Sequence, residues 1–539
     1  MDRALPGALN RADAVALATL ALVACIYTWP LLSNVTTAMP GGPLDRDVAT
    51  MVWNVGWIDQ ALRTGQSVLR SDDVLVPFGA DLRLHTYGLL QGVLAAPLVP
   101  LVGVVGAFNL VLVGTLYLNG VGLYVLARAV SGSRVAAVVA GVCFMLASPL
   151  LDQIRVGRPT FASLWITAAA LLVLRQLLNA PRLWHGALLG GLLAAALVTD
   201  FQMLLFTSLW LAVYGLVRTR PRHVATLALA GGLAALPFVL IFLPALTADD
   251  YPRARLVDMQ EYSFRIWDYL DPSVAAHAYG LELGIAAVAA LAMRRFSVWL
   301  VGGALFLVLA LGPSLQPTEL PLPFAAFSTW PPLGQFRTPY RLAMPAVLGL
   351  SLVLASVLAP LIARWHASIR IGFLVAAVVA RLGYAVVHDP LTIQTYPTFA
   401  TYERIAQEPG RFTILEVPFG VRSGLEQIGG GGEVLEYYQH VHGKPLLNGM
   451  IARLPRGVFE TYRAQPALLL LAGEPVDATS DHLLAVLRWT DTRYVLVHRD
   501  LLSADALQRV LALLDAQPSL ERIASEGALE VYRAILSAG

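Results

Sequence analysis

Lysine is almost missing from this chain: of its 38 basic residues, only Lys444 is not an arginine. Cysteine is as scarce. The two present, Cys25 and Cys143, both fall inside apolar runs, which excludes a disulfide framework and a zinc ribbon. Charge of either sign is thin, at 14% of 539 residues against 57% hydrophobic, and mean hydropathy is +0.64. A net charge of +2 with no basic block gives nothing for a nucleic acid to bind. No glycine-rich phosphate loop follows a strand, and no Ser/His/Asp order is present. What is there is hydrocarbon, in runs of roughly fifteen to twenty-five residues, the pattern of a polytopic helical membrane protein.

Hydropathy and length predict about eleven spans, near 13–33, 106–128, 134–150, 160–179, 184–199, 203–218, 223–247, 279–294, 297–312, 341–363 and 370–387. The turns Arg128–Arg134, Arg175–Arg182, Arg218–His223, Arg294–Arg295 and Arg364–Arg370 carry arginine and no acid. By the positive-inside rule they are cytoplasmic, with the N-terminus. Acidic and mixed loops then share the outer face: 34–105, 150–159, 200–202, 248–278 and 313–340. Within the first of these, 85–101 reads as a helix lying in the membrane interface and ended by Pro97 and Pro100. After Val387 short β-like runs alternate with helices. Phe412–Val417 and Tyr494–His498 read as strands, Ala504–Leu514 as a helix and Ile523–Tyr532 as a hairpin. The expected organisation is therefore a transmembrane helical bundle, 1–387, and a soluble extracytoplasmic α/β domain, 388–539.

The stretch Pro40–Leu62 organises the rest. After a Pro/Gly turn it presents Asp45-Arg46-Asp47 and then a helix. Asp47, Thr50 and Asn54 share one face, and Trp53 and Trp57 stand four apart on another. A polar stripe with paired tryptophans suits the headgroup layer, carboxylates toward water. The plain alternative makes Asp45 or Asp47 only an N-cap. The spans themselves are nearly free of charge. Charged residues gather at outer helix ends instead: Asp81 and His85, Asp152, Arg155 and Arg158, Asp200, Asp249, Asp250 and Arg253, Glu261 and Arg265, Arg337 and Arg341. Ionisable groups on one side of an apolar bundle suit a reaction between a lipid-tailed substrate and a partner arriving from water.

Together, DRDVATMVWNVGWIDQAL, VPFGADLRLHTYGLLQG, GAFNLVLVGTLYLNGVGLYVLAR, FRTPYR and YYQHVHGKPLLNG resemble a bacterial branch of the GT-C glycosyltransferases. These are polytopic enzymes that use polyprenyl-phosphate-linked sugars. The resemblance implies transfer of a sugar to a cell-envelope glycan, lipid or protein at the outer leaflet of the cell membrane. It implies an acidic residue of the first outer loop acting at the acceptor or at a divalent cation (Mg or Mn). Asp47 matches best and Asp45 second, though Arg46 between them departs from the family's usual Gly-Asp or Asp-x-Asp. Partial burial is expected to raise the acting carboxyl toward a useful pKa. Arginine pairs bidentately with phosphate, so Arg337 and Arg341 are expected near the lipid phosphate, unless they only anchor a helix end at the headgroups. Asp81, His85, Arg155 and Arg158 complete the expected substrate contacts, Asp81 and His85 reading equally as a salt link four apart on a helix. His440 and His442 would bind metal together only on one strand face, and Glu436-Tyr437-Tyr438 would contact sugar or pack a core. The rival readings are a lipid or glycolipid transporter and a scaffold for envelope assembly without chemistry.

Overall fold

The computed structural model describes residues 10–535 apart from 43–44, 217, 247–250, 253, 295 and 330–335. Asp249, Asp250 and Arg253 lie outside the described residues. The first helix, α1 (Arg11–Tyr27), starts at Asn10. The Asn10 side chain accepts the N–H of Ala12 and Asp13, and Asp13 answers to the Asn10 N–H. Asp13 is wholly buried. It accepts from Tyr124 Oη at 2.6 Å and from Arg134 Nε at 3.1 Å, and it pairs with Arg128. One carboxylate thus ties the start of α1 to the turn between α4 (Val99–Ser131) and α5 (Arg134–Met145).

Among the described residues, five helical stretches are long and apolar enough to cross a membrane: Leu89–Ser131, Pro159–Asn179, Pro221–Leu246, Pro339–Ile362 and Ala367–His388. Bent by 48°, α5 and α6 (Ser148–Arg155) are long and apolar enough only when taken together, as one broken span or a re-entrant loop. After α7 (Trp165–Asn179), shorter apolar helices lie at α8 (Leu183–Thr199), α9 (Phe201–Gly215), α11 (Leu281–Ala292) and α12 (Val298–Ala310), with α10 (Val224–Pro237) between α9 and α11, and α13 (Ala343–Ile362) and α14 (Ala367–His388) after them. With α1, these stretches overlap all eleven expected segments. Helices approach closely where glycine allows it. A Cβ on Gly349 would lie 2.6 Å from the Trp299 carbonyl oxygen and from the Trp210 ring.

Two local expectations fail. Residues 85–101 are not one interfacial helix ended by proline. The helix α3 (Leu89–Ala95) runs through a 3₁₀ turn into α4, with Pro97 and Pro100 at the first turns of successive segments, where their missing N–H costs nothing. The break comes at Gly103, whose φ of +73° a residue with a side chain rarely adopts. Nor do the paired tryptophans meet headgroups. On α2 (Asp47–Thr64), Trp53 and Trp57 are buried in one core with Val417, Phe419, Ile451 and Leu487, and Trp53 Nε1 donates to Gln439 Oε1 at 2.6 Å. The distant partner for this face lies nearly four hundred residues on, which local periodicity does not reveal.

The C-terminal strands form as expected. β1 (Thr413–Val417) pairs parallel with β2 (Thr492–His498), and the hairpin β3 (Leu520–Glu526) and β4 (Leu529–Ala534) adds antiparallel, in the order β3-β4-β2-β1. The helix α15 (Ala504–Asp515) packs against the sheet. A second small sheet joins Val421–Arg422 in parallel to Gly449–Met450, and it faces the start of α2.

Candidate active site

Asp47 opens α2, where the helix dipole favours an anion. It does not cap the helix; Arg46 holds that position. Two guanidiniums from different parts of the chain close on it: Arg158 Nη2 lies 2.6 Å from Asp47 Oδ2, and Arg422 Nη1 lies 3.3 Å from Oδ1. Gly157, at φ +72°, lets the Arg158 loop reach α2, since a Cβ there would lie 2.7 Å from Val48. Arg422 comes from the small C-terminal sheet and also pairs with the buried Glu433 at 3.7 Å, which in turn holds Arg46 at 3.1 Å. Burial alone would raise the Asp47 carboxyl. The charges of Arg158 and Arg422, the Arg158 hydrogen bond and the Arg341 charge outweigh it and hold the group below its ordinary 3.8. The expected upward shift is therefore reversed, because cations crowd the carboxylate.

The rest of the polar stripe on α2 holds structure. Thr50 Oγ1 lies 2.5 Å from Glu436 Oε1, and Glu436 Oε2 accepts the Met450 N–H at 2.7 Å. Asn54 meets His85 Nε2 at 3.0 Å, and His85 Nδ1 accepts the Ala452 N–H at 2.9 Å. With Nδ1 accepting, Nε2 carries the proton and donates to Asn54. Burial pushes the His85 pKa down to about 3, against the pull of Asp47, so the ring stays neutral with both nitrogens occupied.

Asp47 lines a cleft enclosing about 1150 Å³, its open mouth included, together with Asp200, Arg337, Arg341, Arg422, Arg453, His85 and Phe161. Four arginines and two aspartates make it strongly cationic. Arg341 stacks over Phe161 at 3.9 Å and reaches Gln202 Oε1 at 3.4 Å. Arg337 lies over Tyr262 at 4.8 Å and donates to the Gly424 carbonyl. Arg453 donates to the Ala452 carbonyl at 2.7 Å. Burial and the neighbouring Arg337 lower its pKa to about 10, against the charge of Asp200, so it remains charged at neutral pH.

The other expected residues lie elsewhere. Asp45 Oδ2 accepts the Gly42 N–H at 2.7 Å, closing a turn outside the cleft lining. Asp81 sits on a short strand pairing with Arg70 and bonds Arg83 at 2.5 Å; it makes no helical link to His85. Arg155 lines a neighbouring cavity, 3.5 Å from Asp152 and 3.7 Å from Asp389, with Arg341 on the wall between the two spaces. His440 and His442 lie on the short helix Gln439–His442, not a strand, and no group of three or more His, Cys, Asp or Glu forms a metal cluster among the described residues. Tyr438 is core, stacked on Tyr402 at 4.5 Å. Arg422 and Arg453 had no signal in the sequence, because only the tertiary fold brings them to Asp47.

No family model and no curated protein matches the chain. Solved structures do. The arabinofuranosyltransferase AftD from Mycobacteria superposes with a TM-score of 0.65 at 18% identity, covering 99% of this chain and 42% of that one. This chain thus spans less than half the length of that enzyme. The oligosaccharyltransferase AglB of Archaeoglobus fulgidus, solved with an inhibitory peptide and a dolichol-phosphate, superposes at 0.51 with 9% identity over 94% and 71% of the two chains. ArnT of Cupriavidus metallidurans, bound to undecaprenyl phosphate, gives 0.51 at 14% identity over 96% and 97%. At such identities the likeness is one of fold alone, the architecture that these three proteins share.

Proposed function

We propose that the chain transfers a sugar from a polyprenyl-phosphate-linked donor to a cell-envelope acceptor (a glycan, a lipid or a protein) at the extracytoplasmic face of the plasma membrane. The observation that carries this is the cleft wall itself: one carboxylate, Asp47, bracketed by guanidiniums, with Arg337, Arg341 and Arg453 beside it. The presence of carrier phosphates in two structures of the same fold supports the reading. The turns that carry arginine and no acid support a cytoplasmic position for the opposite end of the bundle and the N-terminus.

In this reading the arginines hold the phosphate of the donor. As the bond between the anomeric carbon and the phosphate oxygen breaks, negative charge grows on that oxygen, and prepositioned guanidiniums stabilise it at no cost of reorganisation. Asp47 stays ionised between Arg158 and Arg422, and its negative charge stabilises the positive charge that develops at the anomeric carbon. Arg158 keeps the carboxylate in place. The region 388–539 supplies Arg422 and Arg453 and shapes the acceptor side. A divalent cation fits this donor set poorly. Both Asp47 oxygens are already taken by guanidiniums, and Asp45 spends an oxygen on its own turn. The arginines supply the countercharge instead.

Asp47→Asn tests the reading: in purified protein it should lower transfer of radiolabelled sugar from the lipid donor about a hundredfold or more while leaving the protein folded. Transfer at the wild-type rate would remove Asp47 from the chemistry.

A further inference from the structure

Glycosyl transfer to a hydroxyl needs a group that takes a proton, and the cleft narrows the choice. Asp47 has both oxygens on guanidiniums. His85 accepts through one ring nitrogen and donates through the other. Glu436, wholly buried, spends one oxygen on Thr50 and the other on Met450 N. Asp200 differs. It stands between α8 and α9, lines the same cleft, and uses Oδ1 to accept the Gln202 N–H at 2.7 Å as the cap of α9. Among the described residues, Oδ2 takes no hydrogen bond. Resting on the glycosyl-transfer reading above, we propose that Asp200 is the base that receives the proton of the acceptor hydroxyl, with Asp47 acting as the fixed anion beside the reacting carbon.

The step balances. The acceptor O–H bond breaks, and its electron pair forms the new bond to the anomeric carbon. The bond from that carbon to the phosphate oxygen breaks, and polyprenyl phosphate leaves with that pair. The proton passes to Asp200 Oδ2 and from there to water. Titratable groups face Asp200 from several elements: Arg341 before α13, Arg453 from the C-terminal region, Arg83, His85 and Tyr87 of the first loop, and Asp47 across the cleft. Burial pushes the Asp200 pKa up to about 6, against the Gln202 hydrogen bond and the charges of Arg341 and Arg453. That lies near the pH at which a base must work.

The test uses purified full-length protein in lipid nanodiscs, with radiolabelled polyprenyl-phosphate pentoses and hexoses as donors. Asparagine caps a helix as well as aspartate does, so Asp200→Asn should fold. Wild-type kcat/KM should rise as pH passes about 6 and then level. Asp200→Asn should lower kcat by roughly 10²–10⁴-fold and lose the inflection. Its thermal stabilisation by polyprenyl monophosphate should not change, and Asp200→Glu should recover part of the rate with an inflection. An active wild type whose pH profile survives in Asp200→Asn overturns this assignment alone. A wild type that turns over none of the donors overturns the glycosyl-transfer reading, and this base with it.

Discussion

Glu436 offers a stability test that needs no substrate. It is fully buried, and it joins the C-terminal region to Thr50 on α2, one turn beyond Asp47. Burial pushes its pKa from 4.5 up to about 8; the neighbouring Glu433 adds to this, while the Thr50 and Met450 hydrogen bonds and Arg422 oppose it. At neutral pH it is therefore mostly protonated. Both oxygens accept, Oε1 from the Thr50 hydroxyl and Oε2 from the Met450 N–H. The sign follows from linkage. Above pH 4.5 the unfolded carboxyl loses its proton while the folded one keeps it, so stability falls as pH rises, until the folded group ionises near 8. At ~1.4 kcal/mol per pH unit the window corresponds to at most about 5 kcal/mol. Glu436→Gln keeps the size of the side chain and an oxygen to accept the Met450 N–H but removes the titration. Thermal unfolding in detergent, followed between pH 6 and 9, should show wild type melting several degrees lower at the alkaline end and the variant changing much less. Equal pH dependence in the two proteins would refute the buried, protonated Glu436.

Other outcomes follow from the cleft. Arg341→Ala should weaken binding of polyprenyl monophosphate by roughly ten- to a hundredfold, the loss of one charge-assisted hydrogen bond of about 1.5–3 kcal/mol, read by titration calorimetry or thermal shift. Asp47→Asn should cost about a hundredfold or more in transfer, whereas Asp45→Asn, outside the cleft lining, should stay within a fewfold of wild type in the same assay.

Local pattern carried the helices and strands well, because each rests on contiguous residues: the Val/Ile/Leu-rich β1 and β2, the alternating hairpin β3–β4 and the apolar rods of the bundle. It also placed Asp47 at the head of a helix whose polar stripe includes Thr50 and Asn54. Its failures share a cause. Glu436, the partner of Thr50, and Gln439, the partner of Trp53, each lie 386 residues away, so a helix that reads as suited to headgroups is in fact a docking element for the C-terminal region. The direction of the Asp47 pKa depended on Arg158 and then Arg422 reaching it from distant parts of the chain, and nothing near Arg422 in sequence sets it apart from the other arginines. Choosing between Asp45 and Asp47 required knowing which one the turn at Gly42 consumes. Pro97 and Pro100 read as stops because proline is tolerated both after a helix and in its first turn, and only the backbone at Gly103 shows where the chain bends.

Where the carrier phosphate binds decides whether this cleft performs the transfer. A cryo-EM map of the protein in nanodiscs with added polyprenyl monophosphate measures this directly. The phosphate should lie within hydrogen-bond distance of Arg341 and at least one of Arg337, Arg422 and Arg453, with the prenyl chain leaving the cleft toward the bilayer. A phosphate seated away from these arginines, or walled off from Asp47, would contradict that role for the cleft.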